Sequence, residues 1–393
     1  MPRTVDIVVF PGDYGGPEVM AEGLKVLAEI QDQYKHQITF NLIHHLLGGA
    51  SFDAHGTSIT DEALADAKAA SAVLLGAVGG PAWAKSPVPV ESGLGRLRKT
   101  LDAFGNIRPI SFIHPSLTEV SSLKEHICRD TNILIIRELT GGIYYGARQE
   151  HDGSFNTASD LDIYDRGQIE RAARLAGTLA MTSSPPLPIT SLDKANLLAA
   201  CGRLWRGVVE ETIRGEFPGV ELRHMLIDSA AMTLACRPRE LSGVVLTSNM
   251  FGDIISDQAS AIPGSLGLLP SASLCGIPGK DGGSVRGIYE PVHGSAPDIA
   301  GQGVINPVGM ILSVALMLRY SLDMEAAATA VERAVSSVIE RGGRTRDIGG
   351  TTSTKEFGDQ VVDFLRDSAE TNTVKSRGVS GCGTASKQLN CMC

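Results

Sequence analysis

Short apolar runs bounded by glycine or proline alternate with amphipathic segments along this chain. The runs at residues 6–10, 72–76, 132–136 and 243–247 predict buried strands, and residues 17–33 predict the first helix. Apolar strands of this length between amphipathic helices are typical of a mostly parallel sheet that is covered on both faces. The pattern therefore predicts the α/β fold class.

Two segments depart from this alternation. Residues 148–160 are polar and contain glycine, which predicts an exposed excursion. From residue 369 the pattern gives way to Thr, Ser, Gly and Lys with three cysteines, so residues 369–393 are expected to form a disordered tail. The sequence shows neither an internal repeat nor a long linker.

The composition of the chain excludes several classes of function. The 393 residues carry 35 Lys and Arg against 44 Asp and Glu, a formal charge of -9, which excludes bulk attraction to nucleic acid or to an anionic membrane. No run approaches the roughly 18 apolar residues that a membrane span needs. The start shows no signal or transit pattern, and the seven cysteines form no CxxC pair, so a cytoplasmic protein with reduced thiols is expected.

Three aspartates are candidate metal ligands. Asp253 and Asp257 are four residues apart, so on a helix both carboxylates lie on one face, and Asp228 follows an extended run. Converging carboxylates form a hard-oxygen site that suits Mg²⁺ or Mn²⁺. A solvated helix face is the alternative interpretation, and the apolar, glycine-rich surroundings weaken it.

Basic residues at the edges of apolar elements are candidate substrate ligands. Arg98, Arg108 and Arg137 each lie at such an edge, and guanidinium groups match carboxylates in bidentate geometry. For each arginine a surface salt bridge is the alternative. Lys194, at a strand-to-helix junction, is a candidate general base, whereas Tyr144 is ambiguous by itself.

The small residues of the stretch 289–301 would let a ligand approach the backbone closely, and Asp298 could accept bonds from two ribose hydroxyls. No GxGxxG follows the first strand, so a Rossmann dinucleotide fold is not indicated.

Four longer motifs occur in order: RELTGGIY at 137–144, LDKAN at 192–196, NMFGDI at 249–254 and GSAPDIAG at 294–301. Together they resemble the β-decarboxylating dehydrogenases of the isocitrate/isopropylmalate dehydrogenase family, and within it the fungal 3-isopropylmalate type. The resemblance extends from about residue 6 to residue 365. It implies a two-domain, non-Rossmann α/β fold with a mostly parallel or mixed sheet.

The resemblance also implies the domain organisation. Residues 1–108 with 261–368 would form a cofactor-binding first domain, and residues 109–260 would form a second domain with the dimer interface. The expected assembly is a homodimer with a shared active site, in which Lys194 and Asp228 come from the neighbouring subunit.

Site residues carry over from the resemblance position by position. The implied substrate ligands are Arg98, Arg108, Arg137, Glu91, Leu94, Gly95 and Leu197; the implied cofactor ligands are Asp298, Asn306, Glu290, His293, Gly294, Ser295 and Ala296; the implied metal ligands are Asp228, Asp253 and Asp257; and the implied catalytic residues are Lys194, Tyr144 and Asp193. Lys194 would take the hydroxyl proton and Tyr144 would help to protonate the enolate. The implied cofactors are NAD, because Asp298 would repel a 2′-phosphate, and Mg²⁺ or Mn²⁺.

The implied reaction is the NAD-dependent oxidative decarboxylation of a 3-substituted malate, first of all 3-isopropylmalate to 2-oxo-4-methylpentanoate in leucine biosynthesis. Two departures from the family pattern bear on the substrate: Gly95 replaces a leucine that lines the isopropyl pocket, and Leu197 replaces a valine. The space left at Gly95 would be filled either by Leu197 from the neighbouring subunit or by a bulkier substrate such as 3-benzylmalate. The latter is a second hypothesis, a specialised relative of the leucine-pathway enzyme. Leu94 presents an apolar wall, which argues against isocitrate.

A ligand-binding relative without turnover is the third hypothesis. The presence of Lys194, Tyr144 and the three candidate metal aspartates argues against it. Two further departures are Tyr14 in the first loop and the pair Cys201–Gly202. Relative to the family pattern, this pair adds one residue to the helix after Lys194, which would bulge the helix or be absorbed by a local kink.

Overall fold

The computed structural model describes residues 2–150, 156–279 and 283–379. The strands are β1 (Arg3–Gly12), β2 (Ile38–His44), β3 (Ala72–Ala77), β4 (Gly105–Ser111), β5 (Asn132–Glu138), β6 (Arg148–Gln149), β7 (Ser159–Asp160), β8 (Ile189–Asp193), β9 (Leu222–Leu226), β10 (Gly243–Thr247), β11 (Pro270–Leu274) and β12 (Gly287–Pro291). The helices are α1 (Gly16–Gln33), α2 (Gly49–His55), α3 (Asp61–Ala69), α4 (Ser92–Leu101), α5 (Glu125–Cys128), α6 (Arg166–Ala180), α7 (Ala199–Glu216), α8 (Ile227–Cys236), α9 (Asn249–Ala259), α10 (Val308–Tyr320), α11 (Glu325–Glu340) and α12 (Thr354–Val379). These bounds confirm the four strands and the first helix expected from the apolar pattern.

Ten strands form one mixed sheet in the order β2-β1-β3-β12-β11-β4-β5-β10-β8-β9. The pairs at each end of the sheet are parallel, whereas β11 pairs antiparallel with both β12 and β4, and β4 pairs antiparallel with β5. The α/β class with a mixed sheet is therefore confirmed. The strands of the two expected domains occupy opposite ends of this continuous sheet, and the domain boundary itself stays a prediction.

Helices cover the sheet and bury its apolar residues. Helix α10 is apolar all round, with each residue from Val308 to Leu318 buried, and it packs between the sheet and helices α1 and α11. A helix that is hydrophobic on every side belongs inside a core. No helix within the described part of the chain is both long and apolar enough to cross a membrane.

The structure bears on three local expectations, which concern residues 148–160, the carboxyl-terminal segment and the helix after Lys194. The excursion at 148–160 carries the exposed strand pair β6–β7, and residues 151–155 lie outside the described residues. Helix α12 continues past residue 369 to Val379, and the rest of the expected tail lies outside the described residues. Helix α7 runs through Cys201 and Gly202 without interruption, so the bulge considered for this pair does not form.

A buried carboxylate ties together the loops at the carboxyl ends of β1 and β3. Asp13 is 2% exposed, and its two oxygens accept bonds from the backbone N–H groups of Gly49 (2.9 Å), Ala50 (2.8 Å) and Gly79 (2.7 Å). Gly48 has a φ of +85°, and a Cβ there would lie 2.4 Å from the Asp13 carboxylate. Only glycine therefore lets α2 begin against this carboxylate.

We expect Asp13→Ala to lower the free energy of unfolding by about 3–5 kcal/mol, because two buried N–H groups and one part-buried N–H group lose a charged acceptor. Asp13→Asn, which keeps one acceptor oxygen, should cause an intermediate loss. Asp53→Ala is the matched control, since Asp53 is an exposed acceptor on α2 for the Trp83 indole. Denaturant unfolding followed by circular dichroism measures all three, and equal stabilities of the Asp13 and Asp53 variants would contradict the assignment.

Candidate active site

Arg137 lies near the carboxyl end of β5 and is 5% exposed. Its Nε donates to Asn249 Oδ1 at 2.9 Å, and its Nη1 donates to one carboxylate oxygen of Asp253. The Tyr144 hydroxyl donates to the other oxygen, Asp253 Oδ2, at 3.0 Å. Asp253 is therefore held between a buried guanidinium and a phenol.

A second arginine–aspartate pair lies beside the first. Arg108 Nη1 donates to Asp257 Oδ1 at 3.0 Å and to Ser256 Oγ at 2.7 Å, while its Nε donates to Asn106 Oδ1 at 3.0 Å. In the antiparallel register Asn106 lies opposite Arg137. Since residues two apart on a strand share a face, Arg108 and Arg137 project from the same face of the sheet.

Helix α9 covers this face. It contains both Asp253 and Asp257, and the α-helical spacing of four places them one turn apart on one side, as the sequence predicted. A third pair adds to the cluster, because Arg98 of α4 contacts Glu290 of β12 at 2.7 Å. Arg98 Nε is buried and has no hydrogen-bond partner among the described residues.

Lys194 and Asp228 form a separate pair. Lys194 Nζ lies 2.6 Å from Asp228 Oδ1, where the turn after β8 meets the start of α8. The described residues contain no hydrogen bond or ion pair between these two side chains and the arginines, and no cluster of three potential metal ligands. Within one chain, Asp228 is therefore not brought to Asp253 and Asp257.

Asp193, expected beside Lys194, is directed elsewhere. Its carboxylate is 3% exposed and accepts bonds from Arg206 Nε at 2.6 Å, from Arg206 Nη2 at 3.0 Å and from the Ala195 backbone N–H at 2.8 Å. Through these contacts Asp193 stabilises the turn after β8 that carries Lys194.

Burial and neighbouring charge perturb two groups of the cluster. Burial lowers the pKa of Arg137 to about 10, opposed by the charge of Asp253, so the guanidinium still carries its proton at neutral pH. Partial burial, and then the carboxylate of Asp253, raise the pKa of Tyr144 above its ordinary value. The phenol is therefore neutral and able to donate a hydrogen bond at neutral pH.

The apolar wall expected for the substrate side chain is incomplete. Glu91 and Leu94 lie at the start of α4, and a Cβ on Gly79 would come within 2.2 Å of the Glu91 carboxylate. A Cβ on Gly95 would meet no atom within 4 Å. Leu197 is 73% exposed, so it does not fill the space beside Gly95 within one chain.

The turn after β12 contains most of the residues expected to bind a cofactor. Ser295 Oγ donates to the Gly79 carbonyl at 2.7 Å, and the Ser295 carbonyl accepts from the Gly15 N–H at 2.8 Å. Ala296 has a φ of +47°, which turns the chain sharply after the open backbone at Gly294. His293 Nδ1 contacts the Gly294 carbonyl at 2.8 Å, whereas its Nε2 is buried with no partner among the described residues.

The last two expected cofactor ligands differ in environment. Asp298 is exposed on the same turn. Asn306 is buried, and its side chain bonds to Asp347 Oδ2 at 2.9 Å and to the Val308 N–H at 3.0 Å. Asp298 is therefore open to a ligand, while Asn306 already has protein partners.

The profile of the isocitrate/isopropylmalate dehydrogenase family matches residues 6–361. The chain belongs to this family. The enzyme is thus a decarboxylating dehydrogenase. Its four sequence motifs contain, in order, Arg137, Lys194, Asp253 and the turn after β12.

Individual relatives are similar to this chain over nearly its full length. The enzyme is 79% identical over 371 residues to an isopropyl malate dehydrogenase, htyC, of Aspergillus rugulosus, which covers 94% of this chain and 100% of that protein. It is 57% identical to the 3-isopropylmalate dehydrogenase of Neurospora crassa, over 91% of this chain and 97% of that one. Its structure is similar to that of isocitrate dehydrogenase from Methylococcus capsulatus, with a TM-score of 0.79 and 28% identity over 92% of this chain and 99% of that one.

Several residues that build the enzyme's site were not singled out from the sequence. Asn249 orients Arg137 and also donates to the Gly141 carbonyl at 3.0 Å, while Glu18 accepts the N–H groups of Gly301 (2.9 Å) and Gly303 (3.0 Å). Asn249 stands inside a recognised motif, which was a usable signal. Glu18 and Asp13 follow the first strand without any spacing that would reveal their distant partners.

Proposed function

We propose that the enzyme catalyses the NAD-dependent oxidative decarboxylation of a 3-substituted malate, with 3-isopropylmalate as its first substrate and Mg²⁺ or Mn²⁺ as its metal. The observation that carries this proposal is the pairing of Arg108 and Arg137 with Asp257 and Asp253. Two guanidinium groups on one face of the sheet and two carboxylates on one face of a helix offer a malate both anion-binding and metal-binding partners.

The arginines would bind the two carboxylates of the malate. Arg108 and Arg137 each already bind one carboxylate oxygen through a single Nη1, and the fork of a guanidinium can bind a substrate carboxylate in bidentate geometry. Arg98, with a buried and unpaired Nε, would complete the set. Substrate binding then exchanges protein carboxylates for substrate carboxylates around the same cations.

The acidic residues fit a hard divalent cation. Asp253 and Asp257 present carboxylate oxygens one helical turn apart, and their side chains are 37% and 65% exposed, so both are accessible. Bound there with the substrate, the metal would polarise the C2 oxygen and stabilise charge during loss of CO₂. Asp228 lies with Lys194, and we propose that a second copy of the chain brings this pair to the arginine cluster, which makes the enzyme a homodimer with a shared site.

The turn after β12 fits a dinucleotide. The buried, unpartnered Nε2 of His293 and the open backbone at Gly294 leave polar and steric room for a ligand. The exposed carboxylate of Asp298 favours ribose hydroxyls and disfavours a 2′-phosphate, so NAD is preferred to NADP. When bound, its nicotinamide would accept the hydride from C2.

Two side chains would move the protons. Once Asp228 turns to the metal, the Lys194 ammonium would release a proton to solvent, and the neutral amine would then accept the proton of the C2 hydroxyl. Tyr144, whose raised pKa leaves it protonated at neutral and mildly alkaline pH, would donate its proton toward the carbon from which CO₂ departs. A cytoplasmic location of the enzyme stays a prediction.

One observation favours a second substrate. The open space beside Gly95 would accommodate a group larger than isopropyl, such as the benzyl group of 3-benzylmalate. The names of the relatives favour 3-isopropylmalate, so that acid stays first. A ligand-binding protein without turnover is disfavoured, because Lys194, Tyr144 and the three aspartates are all present.

We expect purified enzyme with NAD and Mg²⁺ to produce NADH from 3-isopropylmalate, and the same assay with 3-benzylmalate and isocitrate ranks the candidates. NADP in place of NAD should lower the rate. Higher turnover of 3-benzylmalate would establish the second candidate. No NADH from either apolar malate would refute the proposed function.

We expect Asp253→Asn to weaken Mn²⁺ binding and to lower kcat by about 100-fold or more, because a metal ligand and the charge partner of Arg137 are both lost. Calorimetric titration with Mn²⁺ in the presence of substrate measures the first effect. Glu340→Gln, an exposed carboxylate on α11, is the control. Wild-type activity that survives EDTA would rule out the metal assignment.

We expect Gly95→Leu to raise the ratio of kcat/KM for 3-isopropylmalate to that for 3-benzylmalate by at least about 10-fold, because the new side chain fills the open space. Gly215→Leu, on α7, is the matched control, since a Cβ there also meets no atom within 4 Å. Equal losses for the two substrates would show that position 95 does not line their pocket.

A further inference from the structure

We infer that Arg206 of α7 is a positioning residue for Lys194, acting through Asp193. This inference rests on the proposed function, in which Lys194 moves the proton of the substrate hydroxyl. Arg206 contacts the carboxylate of Asp193, whereas the Lys194 ammonium contacts Asp228, so Arg206 acts on the turn that carries Lys194 and not on the substrate.

The first support is the double contact between Arg206 and Asp193. The guanidinium donates from Nε to Asp193 Oδ2 at 2.6 Å and from Nη2 to Oδ1 at 3.0 Å, which is the bidentate arrangement that fixes orientation as well as distance. Asp193 Oδ1 also accepts the Ala195 N–H at 2.8 Å. The residues on both sides of Lys194 are thus fixed through one buried carboxylate.

The second support is the close approach of α7 to the same turn. Gly202 lies four residues before Arg206 on α7, and a Cβ there would lie 2.5 Å from the Ala195 Cα. Residues four apart share a helix face. One face of α7 therefore approaches the turn closely at Gly202 and binds it at Arg206, which explains why position 202 is a glycine.

The turn has its own bonds, but none of them fixes the Lys194 side chain. The Lys194 carbonyl accepts the N–H groups of Leu197 (3.0 Å) and Leu198 (2.9 Å), and these bonds set the backbone that leads into α7. The ammonium is bound to Asp228, a proposed metal ligand that must leave it during catalysis. At that moment the direction of Lys194 depends on the Asp193–Arg206 contact. A displacement of about 1 Å from productive geometry can cost on the order of 100-fold in rate.

The test compares Arg206→Gln, Arg206→Lys and the control Arg214→Gln in the full-length enzyme. Arg214 forms an exposed pair with Glu210 (2.7 Å) on the same helix, so its variant removes an arginine–carboxylate pair without touching the turn. The readouts are kcat and KM for whichever of 3-isopropylmalate and 3-benzylmalate is turned over faster, the primary isotope effect with C2-deuterated substrate, and amide hydrogen exchange of residues 193–198.

In Arg206→Gln we expect kcat per folded enzyme to fall by about 10- to 100-fold while the KM for NAD changes less than about 2-fold. The isotope effect should rise because the chemical steps become slower than product release. Arg206→Lys, which keeps one charged donor, should recover part of kcat. Exchange should increase at residues 193–198 in Arg206→Gln and stay unchanged in Arg214→Gln.

Two results would overturn the inference. One is a kcat per folded Arg206→Gln enzyme equal to that of wild type, which would make the contact purely stabilising. The other is faster exchange spread over all of α7, which would mean that the helix and not the turn depends on Arg206. Wild-type enzyme that is inactive with every malate would refute the proposed function instead, and the exchange measurement would still test the contact.

Discussion

The site depends on the neutralisation of a buried guanidinium. Arg137 lies on β5 with almost no exposure, and a buried charge of this kind costs several kcal/mol unless a partner compensates it. Asp253 is that partner, and Asn249 and Tyr144 complete the hydrogen bonds around the pair. Because Asp253 is one turn from Asp257, the same helix face also supplies the partner of Arg108. The antiparallel pairing of β4 with β5 places both arginines under that face.

The sequence predicted those parts of the enzyme that follow from local spacing. The apolar runs gave the strands β1, β3, β5 and β10, and the interval between Asp253 and Asp257 gave their common helix face. The contact between Lys194 and Asp228 and that between Arg206 and Asp193 join elements through the fold, so no periodicity reveals them. The same holds for Asp13, whose three N–H partners come from two distant loops. The order of the sheet, with β11 and β12 inserted beside β3 and β4, was also beyond local pattern.

Charge balance connects the proposed metal and substrate sites. Each of Arg98, Arg108 and Arg137 has one carboxylate partner, namely Glu290, Asp257 and Asp253. A divalent cation bound alone at the aspartates would displace the arginines and leave an excess of positive charge. A malate dianion bound alone would leave the aspartates unpaired. The two together preserve neutrality, so in a partly buried cluster their binding should be mutually favourable.

The separation of Lys194 and Asp228 from the arginines extends this argument to assembly. Lys194 neutralises Asp228 in the single chain, so this half of the proposed site carries no excess charge that would repel a partner. Exposed apolar side chains of the same region, Leu197, Met232 and Ile254, provide area that a second copy would bury. Contact between two copies could then form before metal or substrate binds, and each ligand would meet a site whose acidic and basic groups are already matched. The rigidity of the Lys194 turn matters most in such an assembly, because the lysine of one chain must reach a substrate held by the arginines of the other.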